Sequence, residues 1–412
     1  MGNFSIALSG LQADSIELNT IANNLANLDT TAYKGQTTSF EDLFYQQVGE
    51  SGSRDPIQIG TGTKVSGTST NFAEGSILPD SNQNLAHMAL DGNGFFVTEQ
   101  DGVQSLTRAG NFQLNSSNQL VTADGRQVMG YPAFDGFINQ NSDLTPITIP
   151  AVGDLQPPEV TAAFYLTGNL DAGANIGDTF SSSIQVFDSL GQAHELTINY
   201  TKVTTNTWNW VSSLPPGDAT GTPTNNTGTM VFTPWGTLAS PTGAIWGGIF
   251  PGLTDGANDL PLEWNLGIFT GVPTFTQTAA PSANTGSFQT GWPPGIYDGF
   301  KVDSSGVITA HYTNGRSVAI GQIAVATVPN NEGLTATGNN AFMATAASGT
   351  ATMGVAGAGG RGTVVDGALE QSNVDISAEF ANLIVAQRAF EANSKTISTF
   401  ATISQDAMAV IR

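Results

Sequence analysis

Apolar residues recur every seven positions at both ends of the chain. In residues 3–31, Phe4, Leu11, Leu18 and Leu25 form one row, with Ala7, Ile21 and Leu28 on the adjoining stripe. That is the spacing of a coiled-coil seam. From Ile376 the interval returns at Leu383, Phe390, Ile397 and Ile411, with Ser404 as its polar member, and Phe380, Ala401 and Met408 supply a second row. Helices are predicted over 1–29 and 374–412. About ten seam residues contribute roughly 15–30 kcal/mol on burial, against about 1–2 kcal/mol for each residue ordered. One isolated helix pair is therefore marginal, and the ends are expected to become ordered by packing against other copies. An antiparallel pair within one chain is the alternative.

Between the ends the period changes. From Leu85 to Tyr131, turn signals at Asp91-Gly92, Asp101-Gly102, Ala109-Gly110, Asn118 and Asp124-Gly125 separate short apolar runs such as Gly94-Phe95-Phe96-Val97, which predicts consecutive antiparallel strands. Val302–Val328 repeats the style, and its alternation shifts phase from Val318, Ile320 to Ile323, Val325 across Gly321, which suggests a β-bulge. One inner β domain, 72–145 and 291–354, is thus expected to be interrupted by an inserted outer β domain, 146–290. The insertion holds 13 of the 19 prolines together with Trp208, Trp210, Trp235, Trp246 and Trp264. Gly-, Ser- and Thr-rich stretches at 30–71 and 355–373 read as extended connectors, the first with room for one irregular hairpin. The predicted fold is multi-domain and mainly β, with nested β domains and N- and C-terminal α-helices that form a coiled-coil-like core when copies assemble.

Composition narrows the chemistry. The 34 acids against 12 bases give a net charge of −22, which repels a nucleic-acid backbone. The chain has no cysteine, so disulfides, thiolate metal sites and cysteine nucleophiles are excluded. The first basic residue is Lys34 and no run of 18 apolar residues occurs. Neither a conventional secretory signal nor membrane insertion is expected, and export requires a dedicated apparatus. His87, His194 and His311 each stand alone in strand-like sequence and read as structural. Gly357, Gly359 and Gly362 match GxGxxG but are followed by Thr363-Val364-Val365, a connector and not a dinucleotide site. The tryptophans offer a sugar-stacking face, but core packing is favoured. Asp255, Asp259 and Glu263 hint at a calcium loop, yet EF-hand spacing is missing and a solvated acidic loop is the better reading. No catalytic pair, cofactor site or metal site is nominated.

Two motifs point to a family. Ala22–Lys34, with Asn23, Asn24, Asn27, Thr30, Tyr33 and Lys34, resembles the ANNxANxNTxGYK signature of the bacterial flagellar rod and hook family. Asp29 replaces the usual Asn and Ala32 the usual Gly, so a left-handed backbone is not expected at position 32. Gly367–Asp375 is similar to the family's GxLExSNVD motif through Leu369, Glu370, Ser372, Asn373 and Asp375, the last suited to start a helix. Gly94–Val97, Thr107–Phe112 and Asp124-Gly125 resemble the family's shared inner domain. Val186–Leu196 resembles the VYDSLGNxHxL segment of its hook members, whereas 213–290 matches weakly.

The resemblance implies a non-enzymatic subunit that self-assembles into a curved, flexible extracellular tube, a universal joint carrying motor torque from rod to filament. It implies an inner core packed through Phe4, Leu11, Leu18, Ile21, Leu25, Leu28, Ile376, Phe380, Leu383, Phe390, Ile397, Met408 and Ile411. It also implies the distal rod protein, hook cap, hook–filament junction proteins and flagellar type III export apparatus as partners. Surfaces rich in Thr, Ser and Asn suit contacts exchanged for water at small net cost. The alternatives are a distal rod protein, which would lack the insertion, and a secreted glycan-binding or glycan-cleaving β protein.

Overall fold

The computed structural model describes residues 2–50, 56–80, 84–266, 268–269 and 272–410. Ile411, placed on the seam, lies outside them. The chain divides into two compact units, one of 1–150, 300–310 and 317–412, the other of 151–299 and 311–316.

The first unit carries both helices, α1 (Gly2–Ala26) and α2 (Ile376–Val410). α1 ends three residues before the predicted limit because the Asn/Thr run turns the backbone. The Asn27 amide bonds the Asn24 carbonyl at 3.1 Å and the Thr30 hydroxyl bonds Asn27 Oδ1 at 3.0 Å, a local alternative to the helical ladder. Leu28 therefore sits in a turn. At the start of α2, Asp375 Oδ1 accepts from the Ser377 and Ala378 amides at 2.7 and 3.1 Å, an N-cap.

The helices pair with each other, which corrects the expectation that they become ordered only against other copies. Their direction is antiparallel: Asn24 lies beside Glu379, and Asp14 beside Asn393. Close approach rests on small side chains. Ala7, Gly10, Ala13 and Ala386 are buried, and a Cβ on Gly10 would meet Asn393 Nδ2 at 2.8 Å.

Residues 30–71 are more ordered than a connector. β1 (Gln36–Asp42) pairs with β4 (Thr63–Thr70), and β2 (Tyr45–Glu50) with β3 (Pro56–Gly60), all antiparallel. Val, Ile and Thr give these strands their propensity.

In the β part of this unit, Phe95–Gln100 and Val103–Thr107 form a hairpin. Asp101 and Gly102 at its tip have φ of 52° and 79°, as a type I′ turn requires. Strands from beyond the interruption close the structure: Thr363–Asp366 pairs with Met88–Asp91, and Ala368–Glu370 with Ile77–Pro79. Ser317–Thr327 pairs with Gln127–Phe134 from Gly321 onward, with Pro132↔Gly321, Tyr131↔Gln322 and Gly130↔Ile323. From Gly321 to Ala326 both faces of that strand are buried, so apolar alternation is lost there. Phe72, Phe95 and Phe342 meet edge-on, with centroids 5.3–6.1 Å apart.

In the second unit, Thr179–Phe187, Ala193–Thr204, Thr207–Ser213, Thr227–Phe232 and Leu238–Ser240 form an antiparallel sheet in chain order. Ala163–Asn169, Ala244–Phe250, Leu260–Asn265, Phe275–Thr276 and Ala283–Gln289 form another. Their strands alternate buried and exposed residues, and the inward rows share one core. There Trp264 stacks on Phe164 at 5.6 Å and meets Trp210 edge-on at 5.1 Å. Trp208, Trp210 and Trp264 are therefore core residues, whereas Trp235 and Trp246 are exposed.

Candidate assembly interface

The two terminal motifs meet. Lys34 Nζ donates to Glu370 Oε1 at 2.5 Å and to the Ala73 carbonyl at 2.8 Å, with both charged side chains buried. The Gly75 amide donates to the same Oε1 at 2.9 Å, and Arg108 Nη1 stands 3.7 Å from Oε2. Burial lowers the Lys34 pKa from its usual value, and the hydrogen bond and charge of Glu370 oppose that shift. A buried ion pair of this kind adds little net stability, but losing one member strands a charge.

The asparagines serve as backbone substitutes. Asn24 Oδ1 accepts from the Gln36 amide at 2.9 Å, while its Nδ2 donates to the Gln36 carbonyl at 2.7 Å and to Glu379 Oε1 at 3.1 Å. Asn373 mirrors it from the other end: Oδ1 accepts from the Gly35 amide at 2.8 Å, and Nδ2 donates to the Asn71 and Ala73 carbonyls at 2.7 and 2.8 Å. Asn23 Nδ2 reaches the Tyr33 hydroxyl at 3.0 Å, Asn27 bonds the Asn23 carbonyl, and Thr30 bonds Asn27. Leu369 lies opposite Leu78 in the strand that carries Glu370, and Ser372 Oγ accepts from the Val374 amide at 3.4 Å. The signatures are thus a clamp between chain ends.

Ala32 corrects an expectation. Its φ is 54°, inside the left-handed region, and its amide donates to the Glu370 carbonyl at 2.8 Å. The clamp geometry imposes that conformation on an alanine, at about 1–2 kcal/mol.

Of the predicted packing residues, Ile21 is buried, and Leu11, Leu18, Leu25, Leu28, Leu383, Phe390 and Ile397 are half-buried. Phe4, Ile376, Phe380 and Met408 are exposed. Heptad spacing did not separate these two groups. On α2 the exposed residues Ile376, Phe380 and Ile384 follow one another at four-residue steps, as do Phe4 and Leu8 on α1, so each helix keeps an outward apolar stripe. Among the described residues no helix is long and apolar enough to cross a membrane.

Among the described residues of the second unit, one cluster escaped the sequence reading. His194 does not stand alone. Its Nε2 lies 3.0 Å from Asp188 Oδ2 and 3.9 Å from Asp255 Oδ2, and its Nδ1 lies 2.9 Å from Asp218 Oδ2. Burial pulls its pKa down, but the bonds to Asp218 and Asp188 outweigh this and leave it above the ordinary histidine value. Asp255 is turned toward this histidine, while Asp259 Oδ1 accepts from the Gly252 amide at 3.0 Å. The GxGxxG stretch is a turn between Thr352–Val355 and Thr363–Asp366, with Arg361 donating to the Val325, Thr352 and Met353 carbonyls.

Comparison with known proteins agrees with the motifs. Family models match for flagella basal body rod proteins over 4–34, the D1 domain of flagellar hook protein FlgE/F/G over 89–162, the D2 domain of flagellar basal body protein FlaE over 166–292, and the C-terminal region of flagellar basal body rod FlgEFG proteins over 365–410. Flagellar hook protein FlgE of Escherichia coli K12 is 34% identical over 413 residues, covering 96% of each chain. That of Treponema pallidum is 31% identical over 458 residues, covering 98% of each. The crystal structure of Helicobacter pylori flagellar hook protein FlgE2 superposes with a TM-score of 0.55 at 15% identity, covering 70% of this chain and 98% of that one, a likeness of fold.

Proposed function

The chain belongs to the flagellar hook protein family, and on that premise we propose that it is a structural subunit of the hook. In this reading it self-assembles outside the cell into the curved, flexible tube that passes motor torque from rod to filament. The observation that carries the proposal is the outward apolar stripe on each of two helices whose inner faces are already paired. Burying Phe4, Leu8, Ile376, Phe380 and Ile384, each about half exposed, stabilises a contact by about 1 kcal/mol per side chain, and every copy in a polymer repeats the gain.

The parts take roles accordingly. The paired helices, held by the Lys34–Glu370 clamp, form the inner core. The β part of the first unit forms the wall, and the 151–299 unit, which a D2 model matches over 166–292, covers the outside. Partners are the distal rod protein, the hook cap, the hook–filament junction proteins and the type III export apparatus. Chemistry plays no part in this role. Electron microscopy of the purified chain under polymerising conditions tests the reading. Curved tubes are expected. Straight rods would favour a rod subunit, and persistent monomers would overturn self-assembly.

A further inference from the structure

We propose that Asp188, His194 and Asp255 bind one divalent transition-metal cation of the zinc class within the 151–299 unit. Asp188 Oδ2, His194 Nε2 and Asp255 Oδ2 all lie within 4.8 Å of one another, two of the separations being 3.0 and 3.9 Å. A tetrahedral Zn2+ with bonds of about 2.0–2.1 Å holds neighbouring ligand atoms about 3.4 Å apart. Small side-chain adjustments reach that geometry.

The surroundings are built for the task. His194 Nδ1 faces Asp218 Oδ2 at 2.9 Å, the carboxylate–histidine arrangement that fixes the tautomer and turns the Nε2 lone pair toward a metal. Asp188 is held by its other oxygen, which accepts from the Leu190 and Gln192 amides at 2.8 and 2.9 Å. Asp255 Oδ1 accepts from the Ala257 amide at 3.0 Å, and the Asn258 amide reaches Ser189 Oγ at 3.0 Å, so the loop bearing Asp255 is tied to the turn bearing Asp188. Asp255 is exposed, which gives the ion a route in and room for a water as fourth ligand.

Charge points the same way. Three carboxylates surround one imidazole, and among the described residues no Lys or Arg pairs with any of them. Lys202 is committed to the Ala172 and Ala174 carbonyls, and Arg316 stacks over Trp292 at 3.6 Å. A protonated imidazole compensates one negative charge, whereas a bound dication beside a neutral imidazole compensates two. The nitrogen ligand selects zinc-like ions over Ca2+ or Mg2+.

The test is calorimetric titration of the full-length, chelator-stripped chain with ZnCl2 at about pH 7.5 and again at about pH 8.5, because metal binding requires release of the imidazole proton, and with CaCl2 in parallel. One Zn2+ per chain is expected, together with an upward shift of the tryptophan-monitored melting transition that Ca2+ does not produce. Asp255→Asn should abolish both effects, the melt being compared with that variant's own metal-free melt, and Asp259→Asn should leave both intact. Asp218→Asn should weaken binding about 10- to 100-fold. The proposal is overturned if Zn2+ uptake is not saturable, if it survives Asp255→Asn, or if Ca2+ binds as well as Zn2+. Any of these leaves His194 as a hydrogen-bonded bridge between Asp188 and Asp218.

Discussion

The sandwich of the 151–299 unit and the helical pair of the first unit treat large apolar side chains in opposite ways. Trp208, Tyr200 and Trp264 are at most 1% exposed, whereas Phe380 and Ile384 are 52% and 51% exposed. The sandwich is complete as a single copy: two sheets turn their inward rows on each other and leave polar rows outside. The helices are complete on one side only. Small residues and hydrogen bonds bring them together, and one row of large apolar side chains on each, including Phe4, Leu8, Phe380 and Ile384, stays exposed. The difference teaches that apolar periodicity marks a face to be covered without saying what covers it.

The comparison predicts that damage to one region stays there, and the tryptophans make this measurable. All six, Trp208, Trp210, Trp235, Trp246, Trp264 and Trp292, belong to the 151–299 unit, so intrinsic fluorescence reports that unit alone. Trp264→Ala should destabilise it by about 3–5 kcal/mol, read as a lower urea midpoint from the remaining tryptophans, while the helical circular dichroism signal persists at concentrations where the sandwich has opened.

Lys34→Met comes next. It leaves Glu370 buried with Arg108 at 3.7 Å as its nearest cation, at about 3 kcal/mol. The loss should appear in helical circular dichroism on heating and be absent from the fluorescence melt, and adding Glu370→Leu should recover most of it. A fluorescence melt that falls with Lys34→Met would break the comparison.

Tyr200→Phe sharpens it in the opposite direction. Among the described residues the Tyr200 hydroxyl is buried without a hydrogen-bond partner, so its removal should be neutral or stabilising by about 1 kcal/mol. Burial raises the Tyr200 pKa well above 10.0, and burial followed by the Tyr312 charge raises Tyr297 to about 12. Above pH 10 the unfolded chain therefore loses phenolic protons first, and the unit's stability should fall as pH rises from there. Tyr200→Phe should flatten that fall in fluorescence-monitored urea titrations. The smallest effect belongs to Ala32→Gly, which relieves a left-handed alanine and should raise the temperature at which helical signal is lost, by an amount equivalent to about 1 kcal/mol or less.

Much of this was legible in the sequence because local rules carried it. Asp101-Gly102 could form only a tight turn, Asp375 stood where a helix needed a cap, and Trp208 and Trp210 alternated as a buried strand does. Other features depended on partners remote in sequence. His194 looked isolated although Asp188 stands six positions before it, because the fold turns Asp188 back onto the imidazole and brings Asp218 and Asp255 in from later loops. Ala32 looked incompatible with a left-handed backbone because Glu370, which accepts its amide, lies 338 positions on. Beyond Gly321 apolar alternation stops being informative, because both faces of that strand are buried. The heptads located both helices but did not distinguish pairing within one chain from pairing between copies, since the seven-residue interval is the same in either case.

The central claim is that the stripe left outside the helical pair is the surface through which copies join. Phe380→Asp tests it most directly, because Phe380 is half in water already and a single copy has little to lose there. The full-length variant should keep its helical signal, its fluorescence melt and its monomeric solubility, and electron microscopy under polymerising conditions should show no tubes. Tubes of ordinary curvature and number from Phe380→Asp would contradict the claim.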